Sequence, residues 1–335
     1  MSSHEVVLIP GDGIGPEVAS AAQAVIDATG VDIRWHTYQA GIASLEEGDR
    51  SLPEELLEAI RQYGIALKGP LTTPVGGGFS SVNVALRQRL GLYANLRPVR
   101  TIPGAPSRYQ DVDLVIIREN TEGLYSGDER WEDDDSVVGL KRVTREASLR
   151  IARFAFNFAS RHGRGKVTAT HKANILKESD GLFLTCAREV AKAYPQVHFT
   201  DRIIDALCMD LVMDPNQHDV LLCPNLYGDI ISDLAAGLVG GLGTVPSANI
   251  GQDAAIFEAV HGSAPDIVGK GIANPTALIL AGVMMLSQLG EEEAAEKLAE
   301  SVRNLYESGG PLTPDLGGEA TTEDMTRELV SNLKL

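Results

Sequence analysis

An α/β fold built on a mostly parallel, doubly wound sheet is predicted by three observations. Short apolar runs of strand length alternate with longer stretches of helical periodicity along almost the whole chain. Turn residues follow the strand candidates, as in Pro10-Gly11, Gly69-Pro70 and Pro224. At 335 residues the chain exceeds what one small core requires, which makes two domains the natural arrangement. A βαβα rhythm of this kind places helices on both faces of the sheet.

The bulk composition narrows the function. Hydrophobic residues make up 44% of the chain, ordinary for a soluble α/β protein. A formal net charge of −17 argues against nucleic acid and acidic membrane surfaces as partners. An anionic small substrate then requires a local concentration of basic residues. The odd, widely spaced Cys186, Cys208 and Cys223 contain no C-x-x-C and suggest reduced thiols in a cytoplasmic compartment, each with a packing role. The N-terminal segment reads as a first strand rather than a signal peptide. The longest apolar run, residues 277–286, is too short to span a bilayer.

Residues 6–9 read as a strand, followed by Pro10-Gly11-Asp12-Gly13-Ile14-Gly15-Pro16-Glu17 and a helix from about 17 to 28. The glycines stand at 11, 13 and 15, and Pro16 occupies the place of the third glycine, so the G-x-G-x-x-G fingerprint fails. Pro16 is instead a good helix start. Strand 33–38, helix 53–62 and strand 65–68 follow. Residues 69–78, rich in Gly and hydroxyls after a strand, form a loop expected to face a ligand.

A helix with a serine-rich start covers 80–89, and residues 112–117 form a strand ended by Arg118. Residues 87–118 hold six arginines against two aspartates, a basic island in an acidic chain. Solvation explains some of these, but the arginine fork also binds carboxylates bidentately, as a polycarboxylate substrate needs. Residues 132–135 read as a solvated acidic turn. The alternating segment 137–144 reads as a strand, possible material for a dimer-forming arm, followed by a helix at 145–161 and a strand at 166–170 leading into His171 and Lys172. Asp205 opens a helix and on its own is a plain N-cap. A strand at 255–260 and helices at 276–288, 291–307 and 322–333 complete the chain.

The most informative stretch is Asn225-Leu226-Tyr227-Gly228-Asp229-Ile230-Ile231-Ser232-Asp233, after a buried-strand run at 219–223. Apolar residues fall at helical spacing after Gly228. Asp229 and Asp233 lie four apart, on one helix face and roughly 6 Å apart along the axis, a like-charge pair that costs a helix a few tenths of a kcal/mol. Either Asp229 caps the helix while Asp233 is solvated, or both hold a divalent cation, for which hard oxygens suit Mg²⁺ or Mn²⁺.

Four separated segments resemble one family, in the family's order: Gly11-Asp12-Gly13-Ile14-Gly15-Pro16-Glu17, Arg118-Glu119-Asn120-Thr121-Glu122-Gly123, the stretch from Asn225 to Asp233, and Glu258-Ala259-Val260-His261-Gly262-Ser263-Ala264-Pro265-Asp266. The chain resembles, over nearly its whole length, the metal-dependent decarboxylating β-hydroxyacid dehydrogenases that act on isocitrate, homoisocitrate or 3-isopropylmalate. The resemblance implies a two-domain isopropylmalate/isocitrate dehydrogenase-like fold, with a mixed, mostly parallel sheet that is not a Rossmann fold. Its domains are expected at 1–98 plus 251–335, the cofactor side, and 99–250, carrying the metal aspartates and a homodimer interface. It implies Asp205, Asp229 and Asp233 as metal carboxylates, with Asp205 contributed across a homodimer. Arg87, Arg97 and Arg118 are implied to bind substrate carboxylates. Lys172, also from the partner subunit, is implied on the general-base side and Tyr125 as proton donor. Thr72, Glu258, His261, Asp266 and Asn274 match cofactor-side positions.

Within that resemblance, substrate choice depends on the start of the helix carrying Arg87. Leucine-rich residues there suit isopropylmalate, whereas Ser81 and Asn83 offer a hydroxyl and an amide to a distal carboxylate and look like isocitrate dehydrogenases. Homoisocitrate, one methylene longer, is the runner-up, since one CH₂ gives only about 1–3 kcal/mol of discrimination. Asp266 suits free ribose hydroxyls and repels a 2′-phosphate, which favours NAD; the Lys-Tyr pair of NADP-using relatives is missing. Non-catalytic regulatory subunits of the family typically lose the lysine, tyrosine or metal aspartates, and this chain keeps them all.

Overall fold

The computed structural model describes residues 3–46, 50–72 and 81–333. The chain divides into two compact units, one from 1–90, 101–110 and 239–335, the other from 91–100 and 111–238. Unit one begins with β1 (His4–Ile9), α1 (Gly15–Asp27), β2 (Ile33–Thr37), α2 (Ile42–Glu46), α3 (Glu54–Tyr63), β3 (Ile65–Lys68) and α4 (Val82–Arg89). Unit two contains β4 (Ala94–Arg100), β5 (Asp113–Glu119), the hairpin β6 (Glu129–Trp131) and β7 (Val137–Gly139), then α5 (Arg145–Arg161), β8 (Lys166–His171), α6 (Ser179–Ala191), β9 (His198–Ile203), α7 (Ile204–Met213), β10 (Val220–Cys223) and α8 (Asn225–Leu238). Unit one resumes with β11 (Pro246–Ile250), β12 (Ala255–Ala259), α9 (Thr276–Gln288), α10 (Glu292–Glu307) and α11 (Thr322–Leu333).

The strand order is β2-β1-β3-β12-β11 in unit one and β4-β5-β10-β8-β9 in unit two. All pairings within these two runs are parallel except β11 with β12 and β4 with β5, a mixed and mostly parallel arrangement. The units divide at 90/91, 100/101, 110/111 and 238/239 rather than at 98/99 and 250/251. The reason is strand pairing: β4 completes the ladder of β5 over its full length, from Ala94↔Glu119 to Arg100↔Asp113, while β11 pairs with β12 of unit one. Neither β4 nor β11 is expected from the sequence, because each carries a proline.

Local chemistry explains most element ends. Pro16 sits in the first turn of α1, whose stripe Val18, Ala19, Ala22, Val25 and Ile26 is buried. The α3 helix has Glu54 and Glu55 in its first turn, Arg61 in its last, and ends on left-handed Gly64 at φ 78°. In α5 the Thr144 hydroxyl caps the N-terminus by accepting the Ala147 N–H at 3.2 Å. Arg145–Arg161, Thr276–Gln288 and Thr322–Leu333 coincide with the helices expected from periodicity.

The glycine loop before α1 is packed against its neighbours. A Cβ on Gly11 would lie 2.2 Å from the Pro70 carbonyl oxygen, and one on Gly13 2.2 Å from that of Ser263. Here the glycines let three backbone segments touch. Asp12, 5% exposed, closes the same junction by accepting N–H bonds from Ile42, Ala43 and Thr72 at 2.9, 3.1 and 2.8 Å. Residues 73–78 of the expected ligand-facing loop, and Ser80, lie outside the described residues.

Three local expectations are corrected. The segment expected as a strand over 137–144 is a strand only at Val137–Gly139, paired with β6 across the acidic turn. Asp205 is not an N-cap: Ile203 takes that position, and Asp205 sits in the first turn of α7. Asp229 is not a cap either, because α8 starts directly after Pro224, four residues before it. No helix among the described residues is long and apolar enough to cross a membrane.

Candidate active site

Unit two brings five of the expected residues together. In the β4–β5 ladder Arg97 stands opposite Ile116, so Arg97 and Arg118 project from the same sheet face, one diagonal step apart. The α8 helix packs on that face and presents Asn225, Asp229, Ser232 and Asp233 to the two guanidinium groups. Arg118, whose side chain is 1% exposed, donates through Nε and Nη2 to Asn225 Oδ1 at 3.1 and 2.7 Å, and through Nη1 to Asp229 Oδ1. The Asn225 amide in turn donates to the Glu122 carbonyl at 2.8 Å. Arg97 donates to the Ser232 hydroxyl and stands 3.7 Å from Asp229 and 3.6 Å from Asp233. Tyr125 completes the group: its hydroxyl donates to Asp229 Oδ2, and its ring lies under the Arg118 guanidinium at 4.8 Å.

Gly228 makes this arrangement possible. A Cβ there would sit 2.6, 2.7 and 3.1 Å from Arg118 Cγ, Cβ and Cδ. Burial first, and then the bond to Asp229, push the Tyr125 pKa above the ordinary phenol value. Burial also raises the Asp233 carboxyl; Arg97 opposes that shift and the neighbouring Asp229 charge adds to it.

The two aspartates fit a divalent cation. They are hard oxygen donors one helical turn apart, Asp233 remains 59% exposed, and their mutual repulsion is what a bound cation relieves. Asp205 is elsewhere in the chain's own contacts, 68% exposed, with Lys172 Nζ donating to it and holding its carboxyl below the usual range. Among the described residues of this single chain, no three His, Cys, Asp or Glu side chains gather as an ion site. Two carboxylates still suffice for Mg²⁺, which commonly takes one or two together with substrate oxygens and water.

Unit one gathers a second group. Lys68 and Glu258 are register partners of β3 and β12, and Lys68 Nζ lies 2.7 Å from Glu258 Oε2. Asn249 donates to Glu258 Oε1 at 2.6 Å, and Arg87 Nη2 lies 3.8 Å from the same oxygen. Burial alone would raise the Glu258 pKa, but Lys68 and Arg87 outweigh it and hold it at about 2. Ser81 caps α4, accepting the Val84 N–H at 3.5 Å, and Asn83 Oδ1 is a buried acceptor with no donor among the described residues. Thr72 donates to the Ser263 hydroxyl at 2.7 Å. Asn274 donates to Asp315 and accepts the Thr276 N–H, both at 3.0 Å. Asp266 is exposed, just past left-handed Ala264.

His261 tests the fit of a cofactor. Its Nδ1 faces the Gly262 carbonyl at 3.0 Å, burial lowers its pKa, and buried Nε2 has no partner among the described residues. A neutral ring donating from Nδ1 leaves Nε2 as an acceptor for an N–H that the described residues do not supply. A nucleotide base or amide fits that need.

Sequence reasoning missed Asn225 as the bracket of Arg118, Ser232 as the partner of Arg97, and Lys68 as the counterion of Glu258. Asn225 and Ser232 were in plain view, at i−4 and i+3 from Asp229 on the same helix face.

The isocitrate/isopropylmalate dehydrogenase family model matches residues 5–329. The NAD isocitrate dehydrogenase catalytic subunit 5, mitochondrial, of Arabidopsis thaliana is 52% identical over 327 residues, covering 97% of this chain and 87% of that one. The chloroplastic 3-isopropylmalate dehydrogenase of Solanum tuberosum is 50% identical over 303 residues, covering 90% and 85%. The crystal structure of isocitrate dehydrogenase from Methylococcus capsulatus superposes with a TM-score of 0.97 at 53% identity, covering 99% of this chain and 100% of that one. The chain therefore belongs to the isocitrate/isopropylmalate dehydrogenase family and is an oxidoreductase of that family.

Proposed function

We propose that this chain oxidatively decarboxylates isocitrate to 2-oxoglutarate and CO₂ with NAD, in the presence of Mg²⁺ or Mn²⁺. The observation that carries the proposal is the convergence of buried Arg97 and Arg118 with Tyr125 on Asp229 and Asp233. Two forks on one sheet face match substrate carboxylates, and Arg87 supplies a third cation. When bound, a divalent ion held by Asp229 and Asp233, with Asp205 of a second subunit, would polarise the substrate hydroxyl, and NAD would take the hydride.

The remaining work falls to side chains of this protein. Lys172 of the second subunit, acting as the neutral amine, accepts the proton of the substrate hydroxyl. Tyr125, kept protonated by burial and by Asp229, returns a proton to the carbon that loses its carboxyl group. The arginines hold the substrate in reacting geometry.

Overall identity does not separate the substrates, since relatives named for isocitrate and for 3-isopropylmalate are 52% and 50% identical. Ser81 and Asn83 do favour one. A hydroxyl at the N-cap and an amide on the first turn of α4 suit a distal carboxylate and leave an isopropyl group against polar atoms. Homoisocitrate remains the second reading on the same residues. Exposed Asp266 suits free ribose hydroxyls, which supports NAD. A homodimer is part of the proposal, because one chain assembles two of the three metal aspartates. The test is the initial rate of NADH formation with isocitrate, homoisocitrate and 3-isopropylmalate, each with Mg²⁺ and with EDTA. Isocitrate leading by orders of magnitude, with the rate abolished by EDTA, is expected. A lead by either competitor overturns the substrate assignment.

A further inference from the structure

Asp180 takes no part in the chemistry above, yet it is 0% exposed and lies in the first turn of α6. Three segments of unit two meet around its carboxylate. Oδ2 accepts the backbone N–H of Lys172 at 2.7 Å, Oδ1 accepts from Lys141 Nζ, and burial, with the Asp180 charge adding to it, raises the pKa of the Tyr227 phenol. Lys141 also stacks its ammonium over the Tyr227 ring at 4.9 Å. Tyr227 belongs to the first turn of α8, between Asn225 and Asp229.

Lys172 is the residue just past β8, in a loop where a backbone is ordinarily free to move. Here its peptide groups are all committed. The N–H goes to Asp180, the carbonyl accepts from the Ile175 and Leu176 N–H groups at 3.0 and 2.9 Å, and the Ala173 N–H next to it donates to His171 Nδ1 at 3.0 Å. We infer that Asp180 is a positioning residue for Lys172, tying the loop that carries it to the helix that carries Asp229 and Asp233. The inference rests on the role proposed for Lys172 above. A buried Asp–Lys pair is weak evidence for stability, because apolar residues of similar size often replace such pairs without loss. What apolar residues cannot replace is an acceptor for the Lys172 N–H.

Two double variants separate these roles. Asp180→Leu with Lys141→Met removes both charges and the acceptor; Asp180→Asn with Lys141→Met removes the charges and keeps the acceptor. Positioning through the hydrogen bond lowers kcat of the Leu/Met protein by about 100-fold. The KM for isocitrate then stays within about threefold, and the Asn/Met protein recovers kcat to within about tenfold of the parent. Equal kcat for the two variants, or a Leu/Met protein as fast as the parent, overturns the inference. Hydrogen exchange in the unaltered protein gives a reading independent of variant folding: the amide of Lys172 should be as protected as the β8 core, and free exchange contradicts the inference. Parent turnover of isocitrate is measured first; its absence refutes the proposed function, while the exchange result still decides the positioning of Lys172.

Discussion

Replacing Gly228 by Ala should separate stability from catalysis. The new Cβ would arrive 2.6 Å from Arg118 Cγ and 2.7 Å from its Cβ, near the root of a side chain that is 1% exposed. The far end of a flexible side chain could swing away; the root of Arg118, fixed in β5, moves only with the strand or through a changed rotamer. Such overpacking costs about 1–3 kcal/mol. Ala improves on Gly in a helix by about 1 kcal/mol, so the net loss of stability should be at most about 2 kcal/mol. The guanidinium, levered away from Asn225 and Asp229, should suffer far more: a shift near 1 Å lowers kcat/KM about 100-fold, equivalent to about 2.7 kcal/mol. Urea unfolding gives the first quantity and initial NADH rates the second. A Gly228→Ala protein with kcat/KM within about threefold of the parent would refute the reasoning that Gly228 exists to admit Arg118.

Three further outcomes follow from the same geometry. Lys68 and Arg87 overcome burial and hold the Glu258 carboxyl at about 2, below its ordinary 4.5, so its contribution to stability is fully present above pH 4.5 and lost as pH falls toward about 2. That loss should reach about 3 kcal/mol in acid unfolding curves and vanish in Glu258→Gln. Lys68→Met, which leaves Glu258 buried with Arg87 as its remaining cation, should destabilise at neutral pH by about 3–5 kcal/mol, seen as a fall in urea midpoint. Asp229→Asn and Asp233→Asn should each weaken Mn²⁺ binding, read by titration calorimetry, more than about tenfold, since each removes one of the three charged oxygen donors proposed for the ion. Ser81→Leu with Asn83→Leu should lower kcat/KM for isocitrate by about 100-fold while leaving or raising that for 3-isopropylmalate, read from initial rates.

The sequence made some of this legible and hid the rest for identifiable reasons. Asp229 and Asp233 could be placed on one face because helical period is local. The six arginines of residues 87–118 could not be sorted without burial: Arg89 and Arg100 pair with Glu54 and Asp113 at the surface, whereas Arg87, Arg97 and Arg118 are 12%, 7% and 1% exposed. Lys68 and Glu258 are 190 positions apart and meet only through the β3–β12 register. The α8 start was placed too late because Gly228 reads locally as a breaker, while its true constraint is Arg118, 110 positions earlier. The loop of Gly11, Gly13 and Gly15 lacks the G-x-G-x-x-G spacing in the sequence, but the close approach of Gly11 to Pro70 and of Gly13 to Ser263 is visible only in three dimensions.

The central claim is that one site couples oxidation to loss of a carboxyl group. The most direct measurement follows NADH, CO₂ and 2-oxoglutarate together from isocitrate with Mn²⁺ present. Equal amounts of all three, with none formed in EDTA, are expected. NADH without CO₂, or no turnover of isocitrate at all, would contradict the account.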